Sequence, residues 1–234
     1  MKVVISQPMF FPWVGLFEQI RLADIYVHYD DVQFPRGRSF MSRVQIKTQS
    51  GVYWLSVPIQ RKGLQLIKDV VTDDSKSWRE THLKTIKHNY IKAPFFEDMM
   101  EITQSVYSLK TNSLSEINIY ATEKICQYFN IAPKFLKSST YNLSTSGSDR
   151  ILEIVKLLNG NIYITGHGAR NYLDHELFER EGVTVEYMNY EKKAYPQLHG
   201  EFTPYVSILD LIANMGKSGI EVITSKTIHW KEFI

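Results

Sequence analysis

The chain has 234 residues, of which 44% are hydrophobic and 13% aromatic, and this composition excludes a mainly disordered protein. The net charge of +2 is too small to predict nucleic-acid binding by itself. No stretch approaches the ~18 apolar residues of a membrane span, and the N-terminus lacks the features of a signal peptide. The single cysteine excludes an intramolecular disulfide. We therefore expect a cytoplasmic protein without a membrane span and without a nucleic-acid partner.

The first predicted elements have the order strand, helix, strand. Residues 2–6 are a short apolar run that predicts a buried strand, and apolar residues at helical spacing predict a helix over 14–23. Residues 25–27 predict a second strand. This order is typical of a parallel sheet whose strands are joined by right-handed crossovers.

The next segment changes from this pattern to a hairpin and then to helices. Alternating residues over 43–47 and 52–57, on either side of a turn, predict a β-hairpin. Helical patterns follow near 76–91, 95–110 and 113–129. We interpret residues 76–130 as a helical insertion into the α/β sheet.

The remaining elements again alternate between strands and helices. Strands are predicted at 134–138, 161–165 and 183–187, and helices at 149–158, 169–180 and 206–214. The sequence shows no repeat, low-complexity tract or linker. We therefore predict one domain over residues 1–234, with a Rossmann-like, mostly parallel sheet flanked by helices.

The first candidate binding loop follows the first predicted strand. Gln7, Pro12, Trp13 and Gly15 lie between that strand and the body of the next helix. Loops at the carboxyl ends of parallel strands are where α/β proteins bind ligands. Gly15 at a helix start would let a backbone N–H face a phosphate. The alternative is a proline-bounded turn covered by a packed tryptophan.

Polar residues also follow the second predicted strand. Asp30 and Asp31 could hold magnesium, orient a ribose or act as a base, and Gln33 lies on the same predicted edge. Arg43 could bind a phosphate or a carboxylate through two parallel hydrogen bonds. The alternatives are a solvated turn for the aspartates and a structural ion pair for the arginine.

Two residues on the predicted helix 76–91 are further candidates. His82 could serve as a general base, and Tyr90 could contact a substrate. His82 and His88 are six residues apart and do not share a helix face well. Because the sequence also lacks a His-Glu-x-x-His pattern and a cysteine cluster, we predict no metal site. The alternative for His82 is a packed or exposed histidine without a catalytic role.

A loop with two glycines follows the strand predicted at 161–165. Gly166, His167 and Gly168 precede a predicted helix that carries Tyr172, and this arrangement permits close approach of a phosphate. The pattern is neither Gly-x-Gly-x-x-Gly nor a P-loop. Aromatic and polar residues of the C-terminal part could line a sugar or base pocket, and these are Tyr195, Phe202, Tyr205, Ser207 and Asp210. The alternatives are a tight turn and ordinary core packing.

Six stretches in this order resemble the WbqC-like family, and together they span nearly the whole chain. The matching stretches are Ser6–Gly15, Ala23–Phe34, Arg43 with Trp54–Pro58, His82 with Tyr90–Phe96, Thr165–Asp174, and Tyr195–Gly216. The family resembles a set of bacterial proteins encoded with O-antigen and capsule genes. The resemblance implies a role in surface-polysaccharide biosynthesis, including that of lipopolysaccharide.

This setting, the clustered polar loops and the absence of a covalent-nucleophile motif favour a transferase. We expect acyl or aminoacyl transfer to a nucleotide-linked amino sugar, with His82, Asp30 or Asp31 as catalytic residue. The expected small-molecule substrate is a nucleotide sugar, and the expected acyl donor is a thioester or a carrier protein. The sequence identifies no cofactor.

Two alternatives to the transferase remain open. The first is an activating enzyme that resembles nucleotidyltransferases with a His-x-Gly-His motif. In this chain Trp13, Gly15 and Leu16 occupy the positions of that motif, so both histidines are absent. The second is a non-catalytic binding or assembly protein, which gains support if the loops after residues 6, 29 and 165 do not converge.

Overall fold

The computed structural model describes residues 1–60 and 62–234 of the chain. Its strands are β1 (Lys2–Ser6), β2 (Ile25–His28), β3 (Arg43–Thr48), β4 (Gly51–Ser56), β5 (Ile59–Gln60), β6 (Val71–Thr72), β7 (Lys134–Lys137), β8 (Ile162–Thr165), β9 (Thr184–Asn189) and β10 (Lys226–His229). Its α-helices are α1 (Val14–Arg21), α2 (Trp78–Tyr90), α3 (Phe96–Tyr107), α4 (Leu114–Tyr128), α5 (Gly147–Leu157), α6 (His175–Arg180), α7 (Ile208–Met215) and α8 (Trp230–Phe233).

A six-stranded sheet with the strand order β10-β9-β8-β1-β2-β7 lies at the centre of the molecule. Five of these strands are parallel, and β10 pairs with β9 in the antiparallel direction at one edge. Val4 of β1 lies between Tyr26 of β2 and Ile164 of β8. The prediction of an α/β fold with a mostly parallel sheet flanked by helices is confirmed.

Both faces of β1 are buried. Neighbouring residues of a strand point to opposite sides of the sheet, and those of β1 pack into a different buried cluster on each side. Val4 belongs to the same buried cluster as Phe17 of α1. Val3 and Ile5 belong to a second buried cluster, together with Val155 of α5. Coverage on both faces explains why the first strands are continuous apolar runs instead of alternating ones.

The segment between β2 and β7 forms two small sheets and three helices. β3 and β4 make the predicted hairpin, in which Val44 lies opposite Leu55, and β5 pairs with β6. Ile86 of α2 and Ile117 of α4 belong to the same buried cluster as Val4 of the central sheet. The predicted insertion therefore shares its hydrophobic core with the sheet.

Two parts of the C-terminal half differ from the sequence prediction. The helix predicted over 169–180 is divided into a 3-10 turn at His167–Asn171 and the helix α6. The division follows from Asp174, whose side chain accepts a hydrogen bond from Leu177 N at 3.0 Å and caps α6. The edge strand β10 and the helix α8 were not predicted.

Within residues 1–60 and 62–234, no helix is both long enough and apolar enough to cross a bilayer.

Candidate functional site

A crevice opens beside β1, at the carboxyl ends of the parallel strands. The chain passes from β1 through α1 to β2 on one side, and from β8 through α6 to β9 on the other. Connections that leave neighbouring strands in opposite directions create a gap in which α/β proteins bind ligands. The gap holds a cavity of about 730 Å³, which we call the crevice cavity. The side chains that line it include those of Gln7, Met9, Trp13, Leu16, Gln19, Tyr29, Ile151, Tyr163, Thr165, His167, Tyr172, Tyr190, Lys192 and Tyr205.

The turn between β1 and α1 is held in a strained conformation. Phe11 has a φ of 39°, a left-handed value that is rare for a bulky residue. Its ring lies 5.0 Å from that of Phe10, and its carbonyl accepts a hydrogen bond from Ser207 Oγ at 2.9 Å. Such strain persists where the surroundings fix the backbone, and it is concentrated at functional sites. The turn presents Gln7 and Trp13 to the crevice cavity.

The indole ring of Trp13 packs directly against Gly15, which has no Cβ atom. A Cβ atom added to Gly15 would lie 2.3 Å from two carbon atoms of that ring. The Trp13 ring is thereby held 5.0 Å from the ring of Tyr190 and 5.3 Å from that of Tyr205. Gly15 is itself buried in α1. Its contribution to the cavity is therefore the position of the tryptophan.

A positively charged side chain, that of Lys192, lies beside these aromatic rings. Lys192 Nζ is 5.2 Å from the centre of the Tyr205 ring, within the range of a cation–π contact. Lys192 follows β9 and has a φ of 51°, in the left-handed region. None of the ion pairs among the described residues includes Lys192. Its charge is available to an anionic group in the cavity.

His167 is anchored by a carbonyl of the neighbouring strand. Its Nε2 lies 2.6 Å from the backbone oxygen of Met188 in β9. A carbonyl oxygen can only accept, so Nε2 carries the hydrogen and Nδ1 of the neutral ring is an acceptor. The ring is packed 5.0 Å from Tyr190 and 4.8 Å from Phe233. The imidazole is therefore fixed in both orientation and tautomer.

Gln19 is a second anchored side chain in the cavity wall, and it was not among the predicted site residues. Its Nε2 donates to the carbonyl of Ile164 in β8 at 3.1 Å, and the residue is buried in α1. Because that bond fixes which end of the amide is nitrogen, Oε1 remains as an acceptor. A glutamine on the buried face of a predicted helix is the signal that could have identified it.

Two tyrosines line the side of the cavity near β2 and α5. Burial is the main cause that raises the pKa of Tyr29 to about 12, opposed by the nearby Arg150. Burial also raises the pKa of Tyr172, although part of its ring is exposed. Both phenols are therefore neutral at pH 7 and can donate hydrogen bonds to a ligand. Neither is suited to accept a proton in its neutral form.

Asp30 and Asp31 lie outside the residues that line the cavity, in a hydrogen-bonded turn. Asp30 accepts hydrogen bonds from Ser139 N at 3.0 Å and from Ser139 Oγ at 2.8 Å. Asp31 accepts from Ser138 Oγ at 2.5 Å and forms a half-buried ion pair with Arg150 at 2.6 Å. These contacts connect β2 to β7 and α5. Both carboxylates thus have protein partners that stabilise the fold.

His82 lies in the interior, away from the residues that line the crevice cavity. Its Nδ1 is 3.1 Å from the Tyr107 hydroxyl, and its Nε2 is 3.2 Å from the Ser56 carbonyl. Both ring nitrogens are therefore satisfied. Burial lowers the pKa of His82 to about 4, partly opposed by the bond to Ser56. The ring is neutral at pH 7 and buried.

Tyr90 and Tyr195 meet around a buried carboxylate that we call the Asp210 cluster, made of Lys47, Tyr90, Tyr195 and Asp210. The hydroxyl of Tyr90 donates to Asp210 at 2.9 Å and accepts from Lys47 N at 3.1 Å. The hydroxyl of Tyr195 also bonds to Asp210. Burial raises the pKa of Asp210, and these hydrogen bonds oppose that rise. The cluster lies outside the residues that line the cavity.

Three other predicted contacts also lie outside the cavity lining. The guanidinium of Arg43 stacks on Trp54, with its carbon 3.9 Å from the ring centre. Gln33 is exposed. The carbonyl of Pro12 accepts a hydrogen bond from Ile208 N at 2.9 Å and ties the first turn to α7. The contacts of Arg43 and Pro12 therefore contribute to the fold outside the cavity lining.

The structure thus brings together part of the predicted set. The predicted residues that line the crevice cavity are Gln7, Trp13, Gly166, His167, Gly168, Tyr172 and Tyr205. The lining residues outside that set that carry polar or charged atoms include Gln19, Tyr29, Tyr190 and Lys192. In the described part of the chain, no group of three or more His, Cys, Asp or Glu residues could hold a metal ion.

Comparisons with known proteins give one family and one relative. The sequence model of the WbqC-like protein family matches residues 7–222. A protein of Mycobacterium tuberculosis with the name "Uncharacterized protein Rv1507c" is 32% identical over 219 residues, which are 92% of this chain and 94% of the relative. No solved structure matches the chain significantly.

Proposed function

The chain belongs to the WbqC-like protein family, and on that premise we propose that the crevice cavity is the substrate site of an enzyme of bacterial surface-polysaccharide biosynthesis. The proposed reaction transfers an acyl or aminoacyl group to the amine of a nucleotide-linked amino sugar. The donor is a thioester, free or on a carrier protein. The observation that carries the proposal is the convergence of three distant segments, at residues 7–19, 165–172 and 190–205, on one cavity.

The size and the walls of the cavity support a ligand of this class. Its volume of about 730 Å³ lies within the range of ~300–1,000 Å³ that is usual for small-molecule sites. The rings of Trp13, Tyr190 and Tyr205 offer flat apolar faces for a sugar or a base. Lys192 provides a positive charge for a diphosphate. The cavity position also supports a Rossmann-like description of the fold.

The convergence of the loops favours a ligand site over a purely assembling role. The loops that follow β1 and β8 contribute Gln7 and His167 to the same cavity, and Tyr29 follows β2. A protein that only assembles with partners has no need for such a polar and aromatic cavity between its strands.

No specific observation favours adenylyl or cytidylyl transfer. Trp13 and Leu16 line the cavity at the positions where that mechanism places histidines. Asp30, which would serve that mechanism, is hydrogen-bonded to Ser139. We therefore place the activating enzyme below the transferase.

The transferase proposal is tested with UDP- and dTDP-linked amino sugars, each mixed with acyl thioesters, and product masses are measured. We expect one pair to give a product heavier by one acyl group, and Trp13→Ala to lose binding of that sugar nucleotide by calorimetry. Trp54→Ala is the matched control, because Trp54 lies on β4 and outside the cavity lining. Absence of binding to every sugar nucleotide, or equal binding by wild type and Trp13→Ala, contradicts the proposal.

A further inference from the structure

His167 combines an anchored donor with a free acceptor inside the crevice cavity. The hydrogen on Nε2 is committed to the Met188 carbonyl at 2.6 Å. Among the described residues, no group forms a hydrogen bond with Nδ1 of His167, although the residue lines the cavity. A histidine whose second nitrogen is held by a backbone carbonyl is oriented as in many acid–base sites.

The other side chains considered as proton acceptors are less suited to this role. The pKa of Tyr29 and that of Tyr172 are raised by burial, so these phenols stay neutral. Asp30 is bonded to Ser139 outside the cavity lining. Both nitrogens of His82 are bonded in the interior. In contrast to these groups, His167 lines the cavity and has a ring nitrogen without a described protein partner.

Gln19 repeats this arrangement on the neighbouring wall. Its amide nitrogen is committed to the carbonyl of Ile164, so its oxygen is left as an acceptor. The N–H groups of Gln19 and His167 thus donate to backbone carbonyls of two adjacent strands, β8 and β9. A cavity that presents acceptors suits a ligand that brings N–H or O–H donors.

We infer that His167 is the catalytic base of the proposed transfer and takes the proton of the ligand's amine on Nδ1. This inference rests on the proposed function. The amine nitrogen attacks the carbonyl carbon of the thioester, the C–N bond forms, and the C–S bond breaks with the electron pair leaving on sulfur. The proton lost by nitrogen passes to Nδ1 of His167 and from there to the thiolate, so the histidine is regenerated.

The first test compares His167→Gln with wild type in the transfer assay. The glutamine amide can donate to Met188 in place of Nε2–H, but it cannot accept a proton. We expect kcat to fall by about 100-fold or more with the dissociation constant of the sugar nucleotide changed less than about threefold. His88→Gln is the control, since His88 is exposed on α2 and outside the cavity lining. Equal kcat in His167→Gln and wild type overturns the inference.

A second measurement reads the histidine without any turnover. Nitrogen-15 correlation spectra of histidine-labelled protein at neutral pH are assigned through the signal that is missing in His167→Gln. We expect hydrogen on Nε2 and a bare Nδ1, whereas a hydrogen on Nδ1 with a bare Nε2 overturns the inference. Failure of wild type to transfer any acyl group rejects the proposed reaction, whereas transfer at equal rates by both proteins rejects only the role of His167.

Discussion

The crevice cavity and the Asp210 cluster both contain tyrosine and lysine side chains, but they differ in how their polar groups are paired. In the cluster, the hydroxyls of Tyr90 and Tyr195 bond to Asp210, and the backbone of Lys47 completes the bonds of Tyr90. In the cavity, His167 has one nitrogen bonded to the protein and the other without a described partner. Polar groups that are buried and satisfied stabilise a fold, whereas unsatisfied groups in a cavity can bind a ligand.

His82 belongs with the Asp210 cluster in this comparison. Both of its nitrogens have protein partners, Tyr107 and Ser56, and its low pKa follows from burial. A perturbed pKa by itself therefore does not identify a catalytic residue, because structural groups are perturbed as well. The open acceptor on an anchored ring is the more specific signal.

The largest effect that we expect is on stability, from Asp210→Ala. The substitution leaves the hydroxyls of Tyr90 and Tyr195 without their acceptor in a site that is 0% exposed. We expect the free energy of unfolding to fall by about 3 kcal/mol, measured by urea denaturation. Asp69→Ala, at an exposed position, is the control and should change stability by less than about 0.5 kcal/mol. Equal stability of Asp210→Ala and wild type would remove the distinction between the two regions.

The next effect concerns pH and His82. Its pKa is about 4 in the folded protein and near its ordinary value of 6.5 in the unfolded chain. As the pH falls below 6.5, the unfolded chain takes up a proton that the folded protein does not, so stability falls until the pH reaches about 4. Between pH 7 and pH 5 this loss is about 2 kcal/mol.

The measurement for His82 is the difference between two pH profiles of unfolding. His82→Gln keeps a donor for Ser56 and has no titration in this range, so its stability should depend less on pH than that of wild type. His88→Gln, at an exposed position on the same helix, should keep the wild-type dependence. Parallel profiles for wild type and His82→Gln would show that the histidine is not held neutral.

The sequence predicted those parts of the fold that depend on local pattern. The apolar run of residues 2–6 and the helical spacing of the next segment correspond to β1 and α1. The positions of Gln7 and His167 followed from a rule about the carboxyl ends of parallel strands. The edge strand β10 was missed because its residues, Lys226–His229, are only partly buried and lack a clear apolar pattern.

The sequence does not show which polar side chains have hydrogen-bond partners in the protein and which do not. Whether His82 is free depends on Tyr107, 25 residues away, and on a backbone carbonyl of β4. Gln19 was overlooked because its role depends on Ile164 in β8, 145 residues later in the chain. Lys192 lies in a loop without regular structure, so no periodic pattern points to it. Contacts between distant residues decide the cases of His82 and Gln19, and a single sequence does not show these contacts.

A smaller effect is expected from Gly15→Ala, which changes the cavity without removing a polar group. The new Cβ would lie 2.3 Å from the Trp13 ring, so the indole must move away from Tyr190. We expect the affinity for a sugar nucleotide to fall about tenfold, equivalent to about 1.4 kcal/mol, with a shift in tryptophan emission. Gly168→Ala is the control for the emission, because a Cβ there meets nothing within 4 Å. Unchanged emission and affinity would show that the contact with Gly15 does not fix the position of Trp13.

The smallest effect is expected from Lys192→Met, and it separates charge from stacking in the cavity wall. Lys192 is exposed and contacts the Tyr205 ring, so a phosphate that it binds remains partly solvated. We expect the affinity for uridine diphosphate to fall about threefold at low salt, with little difference from wild type at high salt, because salt screens exposed charges. Lys193→Met is the matched control, since Lys193 Nζ donates to the Glu221 carbonyl at 2.8 Å and lies outside the cavity lining. An equal loss in both variants would mean that net charge alone attracts the ligand, and that the position of Lys192 contributes nothing.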